Sequence, residues 1–332
     1  MYFDSHAHLG EDCFAQDFVH IVENMRTAGV SGMMEIGFDG PSSYHAVELA
    51  NRYDWIWAAV GSHPDDAAQV DEARIEEYRA LCEDPRVKAI GEIGLDYHYE
   101  DPPRDVQQRA FRMQMELAQK LSLPVVIHER EAHEDGLRII SDFPDVTGVF
   151  HCFSGSYEMA KELIRRGWYI GFTGVVTFKN ARKAVEVAEK IPLDRILIET
   201  DCPYMAPEPF RGQRSDPSMV PRMAAKIAEI KGVTPEEAGR VTAEAAAATG
   251  LCEGTVVAAG GGDNACAAVG TGVVVEGRAF TTIGTSGVVF AHSDRVQIDP
   301  AGRVHTFCAA VPGAYTVMSC TLAAGLSLKW YR

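Results

Sequence analysis

Eight short apolar runs, separated by stretches with helical periodicity, constrain the fold of this chain more than any other feature. The runs occupy residues 1–6, 32–37, 55–63, 87–94, 123–129, 147–153, 167–174 and 195–201. Between them, as in 17–29, 104–121 and 156–167, apolar residues recur at the i, i+3, i+4 spacing of an amphipathic helix. Eight strand–helix units in succession predict a (β/α)8 TIM barrel, with a doubly wound open sheet as the alternative.

Polar residues that can bind metal close most of these runs. They are His6 and His8 after the first run, His63 after the third, Glu92 in the fourth, His128 in the fifth, His151 in the sixth and Asp201 in the eighth. A TIM barrel places its active site at the C-terminal ends of its strands. We therefore expect these seven side chains to meet at one mouth, although they are far apart in sequence.

The mixture of imidazole and carboxylate groups predicts a divalent metal site. His6 and His8 project from the same side of a strand, because side chains alternate between its faces. Glu92 is the expected bridge between two ions, an arrangement suited to phosphoryl displacement. Asp201 would bind one ion and receive the proton of the attacking water, so Glu92 and Asp201 are the predicted catalytic residues. This ligand chemistry permits Mg, Mn or Zn.

Charge and composition limit the location and the partners of the chain. A net charge of −16 disfavours nonspecific coating of duplex DNA, although a bound metal would supply local positive charge for nucleic-acid ends. The sequence has neither a long apolar run nor a secretory signal, so we expect no membrane segment and no export. Eight cysteines without a CxxC pair favour a reducing cytoplasm. No stable protein partner is predicted.

Six motifs within about residues 1–245 resemble the TatD family of metal-dependent deoxyribonucleases, which are amidohydrolase-like barrels. The motifs are DSHAHL, VGSHPDD, GEIGLDY, PVVIHER, FHCFSG and LIETDCPYMAPEPFRGQR. The resemblance implies a TIM barrel of the metal-dependent hydrolase type that holds two divalent ions. It also implies phosphodiester hydrolysis, usually 3′–5′ exonuclease action on DNA or RNA ends.

The resemblance further implies roles for individual residues. One ion would be bound by His6, His8, Glu92 and Asp201, and the other by Glu92, His128 and His151. His63 resembles the family's phosphate-contacting histidine. Where the family often has a second histidine two positions later, this chain has Asp65, so that basic contact is missing.

Several interpretations stay open at this point. Arg211 and Arg214 either bind substrate phosphate or only solvate a loop, and Glu199 either supports the site or makes a structural pair. The bond cleaved is a phosphodiester in the first hypothesis and an amide or an ester, such as an aminoacyl-tRNA linkage, in the second. A non-catalytic fusion product is a further alternative.

Composition changes near residue 240. Residues 241–332 contain only 5 of the 31 Lys and Arg and 6 of the 47 Asp and Glu. The change indicates either a second part of the chain or a buried final subdomain of one fold. Segments 242–274, 277–290, 305–318 and 322–332 resemble the middle of a xylulokinase of the FGGY sugar-kinase family.

This second resemblance implies an incomplete ribonuclease-H-like, actin-like sugar-kinase fragment at 246–332, after the barrel at 1–245. Asp263 corresponds to the catalytic base, and Gly284, Thr285, Ser286 and Gly287 to a nucleotide-phosphate loop. Because the segment is much shorter than such kinases, we expect neither kinase activity nor an independent functional domain. The family switch indicates a chimeric gene, which one sequencing read across codons 235–255 would test.

Overall fold

The computed structural model describes part of the chain, and that part falls into two compact units. The described residues are 2–99, 101–233, 276, 278–283, 287–295, 305–308 and 315–321. The units are Met1–Val257 and Ala258–Arg332. Among the described residues, no helix is long and apolar enough to cross a membrane.

The first unit is built on an eight-stranded parallel sheet in which every strand pairs with the next along the chain. The strands are β1 Tyr2–Ala7, β2 Val30–Ile36, β3 Ile56–Val60, β4 Val87–Asp96, β5 Val125–Arg130, β6 Gly148–Phe150, β7 Tyr169–Phe172 and β8 Ile196–Ile198. The two edges meet where Ala7 bridges Cys202 and the His8 N–H donates to the Cys202 carbonyl at 3.0 Å. The predicted barrel is thus confirmed, and the doubly wound alternative is wrong because its strand order would reverse.

A helix follows each strand. The helices are α1 Phe18–Thr27, α2 Gly40–Arg52, α3 Glu72–Leu81, α4 Arg104–Leu121, α5 His133–Ser141, α6 Tyr157–Arg165, α7 Arg182–Lys190 and α8 Val220–Lys231, with 3₁₀ turns at Asp12–Phe14, Pro64–Gln69, Gly174–Thr177, Leu193–Arg195 and Pro217–Met219. In α4, the longest of them, Phe111, Met115 and Ala118 are buried at the expected spacing of three and four residues. Helix α2 begins with a capping box between Asp39 and Ser42.

A small apolar cluster takes side chains from strands β2 to β8. Its buried members are Ile36, Ala59, Ala89, Val126 and Val149, and Met34, Tyr169 and Leu197 pack against them. Side chains two positions further along a strand face the same way. Two positions beyond Val126 stands His128, and two beyond Val149 stands His151. The apolar layer therefore supports a polar layer at the C-terminal ends of the strands.

The second unit contains a four-stranded antiparallel sheet. Its strands are β9 Ala279–Ile283, β10 Gly287–Ser293, β11 His305–Cys308 and β12 Tyr315–Thr321, in the order β11-β12-β10-β9. Phe290 in β10 stands opposite Phe280 on one side and Met318 on the other. Of the kinase-like residues, Gly287 begins β10, whereas Asp263, Gly284, Thr285 and Ser286 lie outside the described residues. The sugar-kinase fold of this segment stays a prediction.

Candidate metal centre

Strand β4 brings Glu92 to the axis of the barrel through a local irregularity. The β4–β5 register shifts between Ile90 and Ile93, and the Glu92 N–H donates to the Gly37 carbonyl at 2.7 Å. Gly94 has φ +144°, and a Cβ at this position would lie 1.9 Å from the His128 carbonyl oxygen. Glycine is therefore required at residue 94 for β4 and β5 to approach closely beside the site.

The first donor group joins β1 to the segment after β8. Nε2 of His6 lies 3.4 Å from Oε2 of Glu92 and 3.6 Å from Oδ1 of Asp201. Nε2 of His8 lies 3.7 Å and 3.6 Å from the same two oxygens, and the two Nε2 atoms are 3.1 Å apart. Four donors bound tetrahedrally at 2.0–2.2 Å from one ion would stand roughly 3.3–3.6 Å apart. The distances from the two imidazoles to each other and to the two carboxylates, 3.1–3.7 Å, lie near this range.

The second donor group uses the other oxygen of Glu92. Oε1 lies 2.9 Å from Nδ1 of His128 and 2.8 Å from Nε2 of His151, and these two nitrogens are 3.3 Å apart. Nε2 of His63 stands 4.0 Å from the same oxygen. Glu92 therefore connects both groups, one through each carboxylate oxygen, as a bridging ligand would.

In the two donor groups, carboxylates favour the protonated form of nearby imidazoles, and the imidazoles favour the ionised form of the carboxylates. Burial opposes ionisation of Glu92, but the charges of His151 and its neighbours hold the pKa of this carboxyl well below its usual range. Burial likewise opposes ionisation of Asp201, whose pKa is nevertheless lowered by its hydrogen bond with His8. Despite burial, hydrogen bonds to carboxylates raise the pKa of His8 to about 9 and that of His128 to about 10. A divalent cation held by the same atoms would displace these protons.

Two other imidazoles of the site are neutral. Burial lowers the pKa of His6 to about 4 and that of His63 to about 3. Among the described residues, Nδ1 of His6 and Nδ1 of His151 are buried without a hydrogen-bond partner. The ring nitrogens that face Glu92 and Asp201 are the Nε2 atoms of these two histidines. Imidazole nitrogens clustered with carboxylate oxygens are the donors that a borderline metal ion uses, so the donor set fits divalent ions.

Asp96 belongs to the site although the sequence analysis did not select it. Its Oδ2 lies 3.0 Å from Nε2 of His128, and Asp96 is only 4 % exposed. Strand β4 runs four residues past Glu92 and ends at Asp96, whereas the apolar pattern stops earlier. The signal available in the sequence was the period of two, which places Asp96 on the same face as Glu92.

Glu199 contacts one of the site histidines and also makes hydrogen bonds with neighbouring strands and loops. Its carboxylate accepts from the Cys152 N–H at 2.6 Å and from the Ser5 hydroxyl at 3.2 Å. Oε1 also lies 3.7 Å from Nδ1 of His151, and burial raises the pKa of Glu199 to about 7. A Cβ at Gly171 would collide with this carboxylate, which explains glycine at that position of β7.

Two residues of the site have left-handed backbone conformations that side chains rarely adopt. Asp201 has φ 54° and Cys152 has φ 42°. Such conformations cost about 1–3 kcal/mol each and are frequent at functional sites. The Asp201 N–H is held by the His6 carbonyl at 2.9 Å, which fixes the carboxylate against β1.

Arg211, predicted to bind substrate, and Arg214, for which the sequence left two interpretations open, do not line the cavity at the barrel mouth. The guanidinium of Arg211 lies 4.3 Å from the ring centroid of Phe178, and Arg211 does not line the cavity described below. Arg214 donates hydrogen bonds to the Asp17 carboxylate and to the Cys13 carbonyl, and these contacts give the side chain a structural role. A phosphate contact through Arg211 stays a prediction.

The donor groups form the floor of a cavity of about 1010 Å³ at the C-terminal mouth. Six of the seven predicted residues line it: His8, His63, Glu92, His128, His151 and Asp201. His6 is fully buried beneath them and reaches the same carboxylates. The structure therefore brings all seven together, as the strand-end pattern predicts.

A parallel barrel whose mouth holds clustered imidazoles and carboxylates defines a metal-dependent hydrolase of the TIM-barrel class. The chain matches the family described as TatD related DNase over residues 3–249. It belongs to the TatD family.

Two relatives match the barrel over nearly their full lengths. The metal-dependent hydrolase YabD of Bacillus subtilis (strain 168) is 44% identical over 246 residues, which cover 74% of this chain and 96% of YabD. The 3′-5′ ssDNA/RNA exonuclease TatD of Salmonella typhimurium is 35% identical over 243 residues, covering 70% and 93%. The crystal structure of YjjV, a TatD homolog from Escherichia coli K12, superposes with a TM-score of 0.68 at 30% identity and covers 71% of this chain and 93% of that one.

The comparison is much weaker for the kinase resemblance. A crystal structure of a xylulose kinase from Brucella ovis is 38% identical, covers 32% of this chain and 24% of that one, and superposes with a TM-score of only 0.25. A TM-score this low supports no conclusion about the fold. The kinase fragment and the chimeric gene therefore stay predictions.

Proposed function

We propose that this chain is a nuclease that uses two divalent ions to remove nucleotides from the 3′ ends of single-stranded DNA or RNA. The observation that carries the proposal is the position of Glu92, which faces His6 and His8 with one oxygen and His128 and His151 with the other. Paired ions that share a carboxylate suit phosphodiester hydrolysis, in which a water oxygen attacks the phosphorus and an ester oxygen leaves. The similarity to the exonuclease TatD of Salmonella typhimurium supports the same substrate class.

One ion would be held by His6, His8, Glu92 and Asp201, and the other by Glu92, His128 and His151. When bound, Mg, Mn or Zn would act as a Lewis acid that lowers the pKa of water and stabilises charge on the phosphate. The chain's own residues act on the attacking water and on the substrate phosphate. Asp201, ionised and fixed by the His6 carbonyl, accepts the proton of the attacking water.

His63 orients the substrate phosphate in this proposal. The ring is only partly buried, lines the cavity and stands 4.0 Å from Glu92, so it lies between the donor groups and the opening. With its pKa lowered to about 3 it is neutral and can donate one N–H to a phosphate oxygen. Arg211, outside the cavity lining, would contact a phosphate further along the strand.

The test is a parallel assay of a 5′-labelled single-stranded DNA, the same sequence as RNA, and an aminoacyl ester, each with Mg, Mn or Zn. We expect stepwise shortening of the nucleic acids from the 3′ end and none after chelation. Glu92→Gln and Asp201→Asn should each lose at least a hundredfold in kcat, because each removes a charge used in the transition state. Glu186→Gln, in an exposed pair with Lys190, is the matched control and should keep full activity.

The outcomes separate the alternatives. Near-full activity in Asp201→Asn would overturn the mechanism, and turnover of the ester alone would overturn the substrate class. We also propose that activity resides in the barrel at 1–245 and that 246–332 adds no sugar-kinase activity. Xylulose-dependent ADP formation by the whole chain would contradict this part. A cytoplasmic location is likewise a proposal.

A further inference from the structure

Charge is distributed unevenly around the cavity mouth. Four carboxylates, those of Glu11, Asp39, Asp65 and Asp66, line the cavity beyond the ends of β1 to β3. Among the described lining residues, Arg130 at the end of β5 and Lys183 in α7 carry the lysine and arginine charges. Strands β1 to β3 and β5 to β7 lie on opposite sides of a barrel with this strand order. Asp96 at the end of β4 and Glu129 in β5 also line the cavity, so two acidic and two basic side chains lie on that side, whereas the charged Asp, Glu, Lys and Arg residues beyond β1 to β3 are all acidic. A polyanion in the cavity is therefore repelled more strongly on the β1 to β3 side.

On the less acidic side, an exposed aromatic ring stands beside the candidate metal centre. Tyr99 lines the cavity, and 55 % of its surface is exposed. The guanidinium of Arg130 lies 5.6 Å from the centroid of its ring, and Nη1 of Arg130 lies 4.0 Å from Oδ2 of Asp96. The same Asp96 oxygen contacts His128 at 3.0 Å. A chain of three contacts thus connects the Tyr99 ring to a predicted metal ligand.

Strand geometry places the Tyr99 ring near the metal centre, because Arg130, which contacts the ring, stands close to His128. Arg130 stands two positions after His128 in β5, so both side chains face the same side of the strand, about 6–7 Å apart along it. An aromatic ring next to a cation is a favourable surface for a nucleobase, because every base has a face that stacks. Lys183, whose Nζ donates to the Ser154 carbonyl at 3.1 Å, lies further round the same half of the mouth.

We propose that Tyr99 and Arg130 form a base-stacking subsite for the terminal nucleotide of a single strand, and that the strand leaves over β5 to β7. This proposal rests on the proposed nuclease function and names the part of the substrate that the site recognises. The carboxylates beyond β1 to β3, Asp65 included, prevent the strand from leaving on their side. Stacking tolerates any base, so the subsite selects single-stranded ends without selecting sequence.

The experiment compares two 5′-labelled oligonucleotides that differ only at the 3′ end. One ends in thymidine and the other in an abasic tetrahydrofuran residue. For the wild-type chain we expect kcat/KM to be about tenfold higher with thymidine, the effect of one base–aromatic stack. Tyr99→Leu should reduce this preference to about twofold or less, and Tyr99→Phe should retain it. Tyr44→Leu, an exposed tyrosine of α2 outside the cavity, is the matched control and should keep the preference.

A second readout does not depend on turnover. Calorimetric titration should show that thymidine monophosphate binds about tenfold more tightly than deoxyribose 5-phosphate to the wild-type chain and to Tyr44→Leu, and about equally to Tyr99→Leu. If the oligonucleotides are cleaved but Tyr99→Leu keeps the preference in both assays, the subsite is overturned and the nuclease function stands. If no oligonucleotide is cleaved but binding depends on Tyr99 as described, the subsite stands and the nuclease function is overturned.

Discussion

Oδ2 of Asp96 lies 3.0 Å from Nε2 of His128, while Nδ1 of the same ring lies 2.9 Å from Oε1 of Glu92. The imidazole is held between two carboxylates, one on each nitrogen. A carboxylate on the second nitrogen of a ligating histidine fixes the orientation of the ring and raises its basicity. In the proposed metal site, Asp96 would therefore position His128.

Replacing this carboxylate should weaken the metal site without removing a predicted ligand. We expect Asp96→Asn to lower the affinity for Zn or Mn about 10- to 100-fold, as measured by calorimetric titration. Activity at limiting metal should fall in parallel and recover at high metal concentration. Asp142→Asn, which alters an exposed pair with Arg112, should leave the affinity unchanged. Unchanged affinity in Asp96→Asn would show that the contact has no positioning role.

Metal removal should destabilise the barrel as well as inactivate it. His6, Glu92 and Asp201 are buried, and ions bound only by the folded state stabilise it by about 2.7 kcal/mol at a hundred times Kd. We expect EDTA to lower the Tm of the barrel transition in scanning calorimetry and added metal to restore it. Glu92→Gln should lose most of this response. An identical Tm with and without chelator would contradict the prediction.

A buried side-chain contact joins the first strand to the segment after the last. Oδ2 of Asp4 accepts from the Thr200 hydroxyl at 2.5 Å, and both residues are fully buried. Burial raises the pKa of Asp4 to about 8. Thr200→Val keeps the shape but removes the donor, so we expect a loss of about 1–3 kcal/mol in urea unfolding. Thr27→Val, at an exposed hydroxyl, should cost less than about 0.5 kcal/mol.

Glu35 should make the stability of the metal-free chain depend on pH. Its buried carboxylate accepts from the N–H groups of Leu9 and Gly10, and burial raises its pKa from 4.5 to about 7. Between these two values the unfolded chain loses the proton first, so the folded state binds more protons and stability falls as pH rises.

The change is measured against Glu35→Gln, which does not titrate at this position. We expect the free energy of unfolding of the wild-type chain to fall by about 1–3 kcal/mol relative to Glu35→Gln between pH 4.5 and pH 7.5. Urea titrations of both metal-free proteins at several pH values would measure this difference. A difference that stays constant with pH would refute the assignment.

The sequence predicted much of the site because parallel strands end at one edge. Apolar runs that end in polar residues identified His128, His151 and Asp201 without any knowledge of the pairing, since the barrel brings all strand ends together. The sequence also showed that Asp65 stands where the resemblance to the TatD family implies a second histidine. What the pattern could not give was the exact length of β4, which continues to Asp96.

By itself, then, the sequence determined the barrel, the mouth at which its site forms and seven of the side chains that meet there, because periodicity and strand order are local properties. Only the tertiary structure decided how those side chains share their atoms. The division of the Glu92 oxygens between two groups, the contact of Asp96 with His128 and the position of Arg130 over Tyr99 all join residues of different strands or loops. Such contacts depend on the relative displacement of neighbouring strands and on irregularities such as the one at Glu92. No single segment encodes these features, because they arise from packing between segments.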